Sequence, residues 1–320
     1  MAYKVVDFHC DALSKMQLDS ELEFTRDTRL DVNLKRMEQG GVGLQCFAIY
    51  LSERLGKPGF GHILDQIDLF KQKVLQSGVA AITSVEELVE AEAAGQPAGL
   101  LSIEGADGLE GNFHYLQVCY ERGVRCLGLT WNYANWAADG ILEPRGGGFT
   151  TRGLELVKAC HKLGMILDVS HLSIKGFWEL AERAEQKGIP FIASHSNAYR
   201  ICSHARNLRD DQIRAIVSLG GRIGITFVPW FVKKSSVVEA SDLLPHIEHI
   251  CSLGGEKAIM FGSDFDGIES HIKDLRHSGH YLDWANLLLR HYPEELVRGW
   301  LSGNALSFLK AWLPQKKKAL

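Results

Sequence analysis

The 320-residue sequence predicts an α/β fold, a single TIM-type (β/α)8 barrel spanning residues 1–320. Three observations predict it. Eight short apolar runs recur along the chain, amphipathic helical patterns lie between them, and no Pro/Ser-rich linker, low-complexity tract or composition shift divides the chain. Length alone would allow two domains of roughly 150 residues, but α/β barrels commonly run to about 250 residues or more as one unit.

The strand candidates are, in order, YKVVDFHCD, GVGLQCFAIYL, AGLLSIEGAD, GVRCLGLTWN, GMILDVSHLS, IPFIASHSN, GRIGITFVPW and KAIMFGSDFDG. They are apolar on both sides of the pleat, as expected of a parallel sheet covered by helices rather than by water. The patterns HILDQIDLFKQKVLQSG, TTRGLELVKACHKLG, IKGFWELAERAEQKG and DLLPHIEHICSLGG carry apolar residues at three-and-four spacing. Each ends in Gly, the residue a helix C-cap favours. A doubly wound open sheet is the competing arrangement. It would normally carry a Gly-rich phosphate turn after its first strand, and DFHCDALS is not one.

Hydrophobic residues make up 46% of the chain and charged residues 23%, enough for a full core and unlike a disordered sequence. Lys plus Arg number 35 against 39 Asp plus Glu, a net charge of -4 that offers no electrostatic attraction to nucleic acid. The start, MAYKVVDFHCDAL, has no signal-peptide core, and no segment approaches the roughly 18 apolar residues of a membrane span. Seven cysteines without a CxxC pair fit reduced thiols better than a disulfide framework. The expectation is a cytoplasmic protein with neither a membrane nor a nucleic acid as partner.

A (β/α)8 barrel places its chemistry at the C-terminal ends of its strands. Here those ends carry ionisable groups: YKVV leads into Asp7, His9 and Asp11, LLSI into Glu104, MILDV into His171, PFIA into His195, and IMFG into Asp264 and Asp266. One such histidine is usually structural. Three histidines and several carboxylates converging on one mouth would be costly to bury without a compensating cation.

His9 and Asp11 are two apart on a strand, so both project from one face while Cys10 points away. His171 and His195 end adjacent strands and fall side by side, and Glu104 on the third strand could span two ions with its two oxygens. Imidazole and carboxylate ligands without thiolates favour two Zn2+ ions and also permit other divalent metals, Mn2+, Fe2+ or Co2+. Water between two such ions has its pKa lowered toward neutrality, which supplies a nucleophile without a Ser or Cys. Asp264 is then placed to move that water's proton to a leaving amine, with Asp266 as the alternative acid/base.

The stretches DFHCD, SIEGAD, LTWNYANWAADG, DVSHLS, ASHSNAYRICSHARNLRDD and GSDFDG resemble, in order and over almost the whole chain, the membrane dipeptidase (renal dipeptidase, peptidase M19) family of the amidohydrolase superfamily. The resemblance implies a binuclear-zinc barrel that cleaves dipeptides, including some with a C-terminal D-residue. It implies His9 and Asp11 on one zinc, His171 and His195 on the other, Glu104 as the bridge and Asp264 as acid/base. It gives Arg206 the substrate's free carboxylate, a task suited to a planar fork. A homodimer is compatible with it. Where mammalian members carry a substrate-contacting histidine, this chain presents Trp131 followed by Asn132, so those two become the candidate substrate contacts there.

Other features carry weaker signals. Tyr133 and Trp136 could line a pocket or simply pack. RGGGFTTRG lacks the ending of a phosphate loop and reads as a flexible turn. His161, His246 and His249 fall on helical patterns, whereas His271, His277 and His280 follow the last strand in a segment that could cover the site. Two further readings compete with a dipeptidase: another amidohydrolase activity (lactonase, deaminase or phosphotriesterase), or a non-catalytic metal-binding barrel. Those relatives commonly use HxH and a strand-four lysine, and VRCLGLTWN has no lysine.

Overall fold

A computed structural model describes residues 5–57 and 59–316. Eight parallel strands form the barrel: β1 (Val5–Cys10), β2 (Val42–Tyr50), β3 (Ala98–Glu104), β4 (Val124–Gly128), β5 (Ile166–Asp168), β6 (Ile192–Ala193), β7 (Arg222–Ile225) and β8 (Ile259–Phe261). Each pairs with its sequence neighbours, and β1 pairs with both β2 and β8, so the sheet closes. All eight fall within the strand candidates read from the sequence. The sequence did not suggest the two-residue strand Ala80–Ala81, which pairs with Ala98 and Gly99. It fits there because β4 starts pairing with β3 only at Leu101, leaving the first residues of that edge open.

The four helical patterns appear as Phe60–Leu69, which runs on through a π-helical turn at Phe70–Val74, and as Thr151–Leu163, Ile174–Lys187 and Leu244–Ser252. Gly164 (φ 72) and Gly188 (φ 63) close two of them in the left-handed conformation that favours glycine. Their starts are equally local, since the Thr150 and Ser173 side chains accept from the Gly153 and Gly176 amides. RGGGFTTRG is therefore not a loose turn: Gly147 N also donates to Asp139 Oδ2 at 2.7 Å, and Arg145 pairs with the same carboxylate.

Inside the barrel, Val6, Phe8, Leu44, Cys46, Leu100, Cys126, Ile166, Ile192 and Met260 form one buried cluster with the apolar faces of helices Val85–Ala94 and Asn304–Trp312. A larger cluster fills the layer between strands and outer helices. The apolar plug leaves the opposite, C-terminal mouth for polar side chains. All seven cysteines are free and six are buried. No helix among the described residues is long and apolar enough to cross a membrane.

Candidate metal centre

Strict alternation along β1 from Val6 and Phe8, which face the barrel interior, would turn His9 outward. The pairing with β2 prevents this. Asp7 is opposite Gln45 but Cys10 is opposite Phe47, so β1 carries one extra residue between them. This bulge re-aims the strand end, a common use of bulges beside functional sites. His9 and Asp11 consequently share the mouth, with His9 Nε2 3.3 Å from Asp11 Oδ2, while Cys10 joins the outer cluster.

The other groups arrive from β3, β5, β6 and β8. His9 Nε2 is 3.6 Å from Glu104 Oε2 and 3.8 Å from Asp264 Oδ1. On the far side of the same carboxylate, Glu104 Oε1 is 2.8 Å from His171 Nε2 and 3.6 Å from His195 Nε2, and the two imidazole nitrogens are 2.9 Å apart. Ligand atoms of His9, Glu104 and His195, and of His9, Asp11 and Asp264, each gather within 4.8 Å. The six side chains named from the sequence thus meet at one place.

Backbone shape contributes. Four non-glycine residues among those described have left-handed φ, and three are His171 (70°), Asp264 (68°) and Asp266 (67°). Such strain concentrates at functional sites. Glycines make the room. A Cβ at Gly224 or Gly262 would lie within 2 Å of the Ser194 carbonyl oxygen, so the inward step that delivers His195 requires both to be glycine.

A cation fits this donor set. Asn132 Oδ1 faces His171 Nδ1 at 2.8 Å, an acceptor that favours the ring proton on Nδ1 and, with it there, leaves Nε2 as a lone pair toward Glu104. Ser194 Oγ gives its hydrogen to Asp168 and so accepts from His195 Nδ1 at 2.7 Å, leaving the second Nε2 as a lone pair too. Two lone pairs and a carboxylate oxygen converge, an arrangement that repels itself unless a cation lies among them. Burial drives His171 down to about 4 and His195 well below its ordinary value, so both are neutral, the state that ligates metal. On the other side, burial would lower His9, but Glu104, Asp11 and Asp264 together raise it well above its usual range. Positive charge is favoured there, and His9 Nε2 and Asp11 Oδ1 are buried with no hydrogen-bond partner.

Burial, reinforced by Asp11 and Glu104, raises Asp264 to about 7. Asp266 is engaged elsewhere: it accepts from Lys15 Nζ at 3.0 Å and from the Asp31 and Val32 amides at 2.7 and 2.9 Å. Those bonds fasten the loop after β1 and remove Asp266 from the acid/base role the sequence had left open to it. Arg206 is only 5% exposed; its Nη2 donates to the His195 carbonyl at 3.2 Å and its Nε has no partner. Burial pushes this guanidinium down to about 10 while Asp264 and Glu104 favour its charge.

A cavity of about 660 Å3 opens above these groups, bordered by Asp11, Glu104, His171 and Asp264, with Tyr50, Trp131, Asn132, Trp230 and Phe231 as walls. Trp131 lies between Tyr50 and His171, with ring centroids 5.3 and 6.2 Å away. Tyr133 borders a smaller neighbouring hollow, and Trp136 Nε1 donates to the Ala106 carbonyl, a packing role. His271 borders the cavity and bonds Asp31 Oδ2 at 2.8 Å, whereas His277 and His280 stack on each other apart from it. His246 is fully buried between the Ala198 amide and the Val232 carbonyl. The sequence reading missed Tyr50, Trp230, Asp168 and Ser194. A serine directly before each of the two histidines, in VSH and ASH, was the available signal for the last of these.

Imidazoles and carboxylates gathered at the C-terminal mouth of a closed parallel barrel define the class as a metallohydrolase barrel. The chain belongs to the membrane dipeptidase family (peptidase family M19), whose family model matches residues 1–318. It is 38% identical over 176 residues to an uncharacterised protein in the pqqA 5′ region of Klebsiella pneumoniae, covering 52% of this chain and 64% of that relative's length. It is 28% identical to an uncharacterised dipeptidase of Schizosaccharomyces pombe, over 99% of this chain and 82% of the relative. Among solved structures, a metallopeptidase from Rhodobacter sphaeroides, liganded with a phosphinate mimic of the dipeptide L-Ala-D-Ala, superposes with a TM-score of 0.87. It has 23% identity and covers 98% of this chain and 100% of that one.

Proposed function

We propose that this protein is a binuclear zinc dipeptidase that hydrolyses dipeptides, including those with a C-terminal D-residue. The observation that carries the reading is the convergence of His171 Nε2, His195 Nε2 and Glu104 Oε1 on one side, and of His9, Asp11 and Glu104 Oε2 on the other. His9 and Asp11 would hold one ion, His171 and His195 the second, with Glu104 shared; when bound, the ions supply Lewis acidity and a water acidic enough to ionise near neutral pH.

The remaining work falls to the chain. Arg206 holds the substrate's free carboxylate; a buried guanidinium with an unpartnered Nε beside the site is a donor awaiting an acceptor. Asp264, raised to about 7, passes a proton to the departing amine, since a carboxyl poised near neutrality can both take and give it. Trp131 and Tyr50 wall the cavity against the substrate's side chains, and Asn132 borders it. A clamp on the free carboxylate sets a single residue after the scissile bond, and the cavity walled by Tyr50, Trp131 and Trp230 must take whatever precedes it. Acceptance of a C-terminal D-residue draws support from the Rhodobacter structure and its L-Ala-D-Ala mimic.

The test is a dipeptide library of mixed stereochemistry presented to zinc-loaded protein beside lactones and phosphotriesters. Turnover confined to dipeptides with a free C-terminus is expected. Turnover of the esters alone, or none after zinc loading, would overturn the reading.

A further inference from the structure

We propose that Asn132 and the Ser194–Asp168 pair are positioning residues that lock the ring tautomers of His171 and His195, so that both Nε2 lone pairs are aimed at one metal before it binds. The inference rests on the metal-centre reading above and gives Asn132 a role beyond substrate contact. Nothing forces a neutral histidine to keep its proton on Nδ1; the partner of that nitrogen decides. Here the two partners differ in kind. His171 meets an amide oxygen at 2.8 Å, brought by the loop that follows β4. His195 meets a hydroxyl at 2.7 Å that has already given its hydrogen to Asp168.

Asp168 is itself held as an acceptor, because its Oδ1 takes the Ser170 and Ser194 amides at 3.0 and 2.9 Å. That geometry leaves Ser194 Oγ no second hydrogen, so it can only accept from the ring. The two clamps act on the same side of Glu104, and no corresponding contact reaches the His9 and Asp11 side from these residues. Their loss should therefore affect one of the two ions alone. Outer contacts of this kind typically carry 10- to 100-fold in metal affinity, roughly.

Cobalt titration of the metal-free full-length protein, read by visible absorption, with chelator competition for zinc, tests this at two independent positions. Wild-type protein should take up two equivalents. Asn132→Leu and Ser194→Ala should each weaken one equivalent about 10- to 100-fold and leave the other unchanged. Asn132→Asp and Ser194→Thr, which keep an acceptor, should restore it. Wild-type affinity for both equivalents in folded Asn132→Leu and Ser194→Ala overturns the proposal, as does loss that the acceptor-keeping variants fail to rescue. Equal weakening of both equivalents with a matching fall in Tm would make the residues merely structural. Failure of the wild-type protein to take up two equivalents would instead sink the metal-centre reading itself. If one variant does not fold, the other position decides.

Discussion

Replacing Gly267 with Ala places a methyl group where an ideal Cβ lies 2.3 Å from Asp11 Oδ2 and 2.8 Å from Asp264 Oδ1. Non-bonded carbon and oxygen atoms settle at about 3.5 Å, so relief requires one or both carboxylates to retreat by about 1 Å. Gly267 does not occupy the left-handed region, so the effect is steric and directed at two side chains. Crowding of this kind costs about 1–3 kcal/mol of stability, and a 1 Å misplacement at a reacting centre costs roughly 100-fold in rate. The expected result is a folded variant with kcat lowered about 100-fold and weaker uptake of one metal equivalent, the one on the Asp11 side. Stopped assays on a D- or L-dipeptide, cobalt titration and thermal unfolding measure the three quantities. Wild-type kcat together with wild-type uptake of both equivalents would refute the reasoning.

Three further outcomes are expected. Asp264→Asn should retain both metal equivalents yet lower kcat by about two to four orders of magnitude, and near-wild-type turnover would remove Asp264 from proton transfer. Arg206→Ala should raise KM for dipeptides with a free C-terminus while leaving an amidated dipeptide as poor a substrate as before; equal loss on both would remove the clamp. Asp31 accepts from His271 Nε2 and the Asp266 amide, and although burial opposes it, these partners hold its carboxyl below the usual range. A depressed folded pKa adds stability above the unfolded value and loses it as pH falls through the folded one. Asp31→Asn should thus be less stable than wild type at neutral pH by about 1–3 kcal/mol in urea unfolding, with the gap narrowing below about pH 4. A gap that widens on acidification would contradict that sign.

Much of the fold was legible because each strand is a short apolar run with its own terminator, and because helix starts and ends lie in local residues such as Thr150, Ser173, Gly164 and Gly188. The strand-end residues His9, Glu104, His171, His195 and Asp264 were legible for the same reason, since a barrel directs strand ends to a common mouth. What alternation could not convey was the bulge between Asp7 and Cys10, which depends on register against β2. Nor could it show that Asp266 is consumed by Lys15 and two amides from the loop after β1, contacts between residues more than 230 positions apart. Ser194 and Asp168 stayed hidden because their meaning lies in who donates to whom.

Zinc-edge anomalous diffraction from crystals of the zinc-loaded protein probes the central claim most directly. Two peaks are expected on either side of the Glu104 carboxylate, one against His9 and Asp11 and the other against His171 and His195. A lone peak away from Glu104, or no peak at this mouth at saturating zinc, would contradict it.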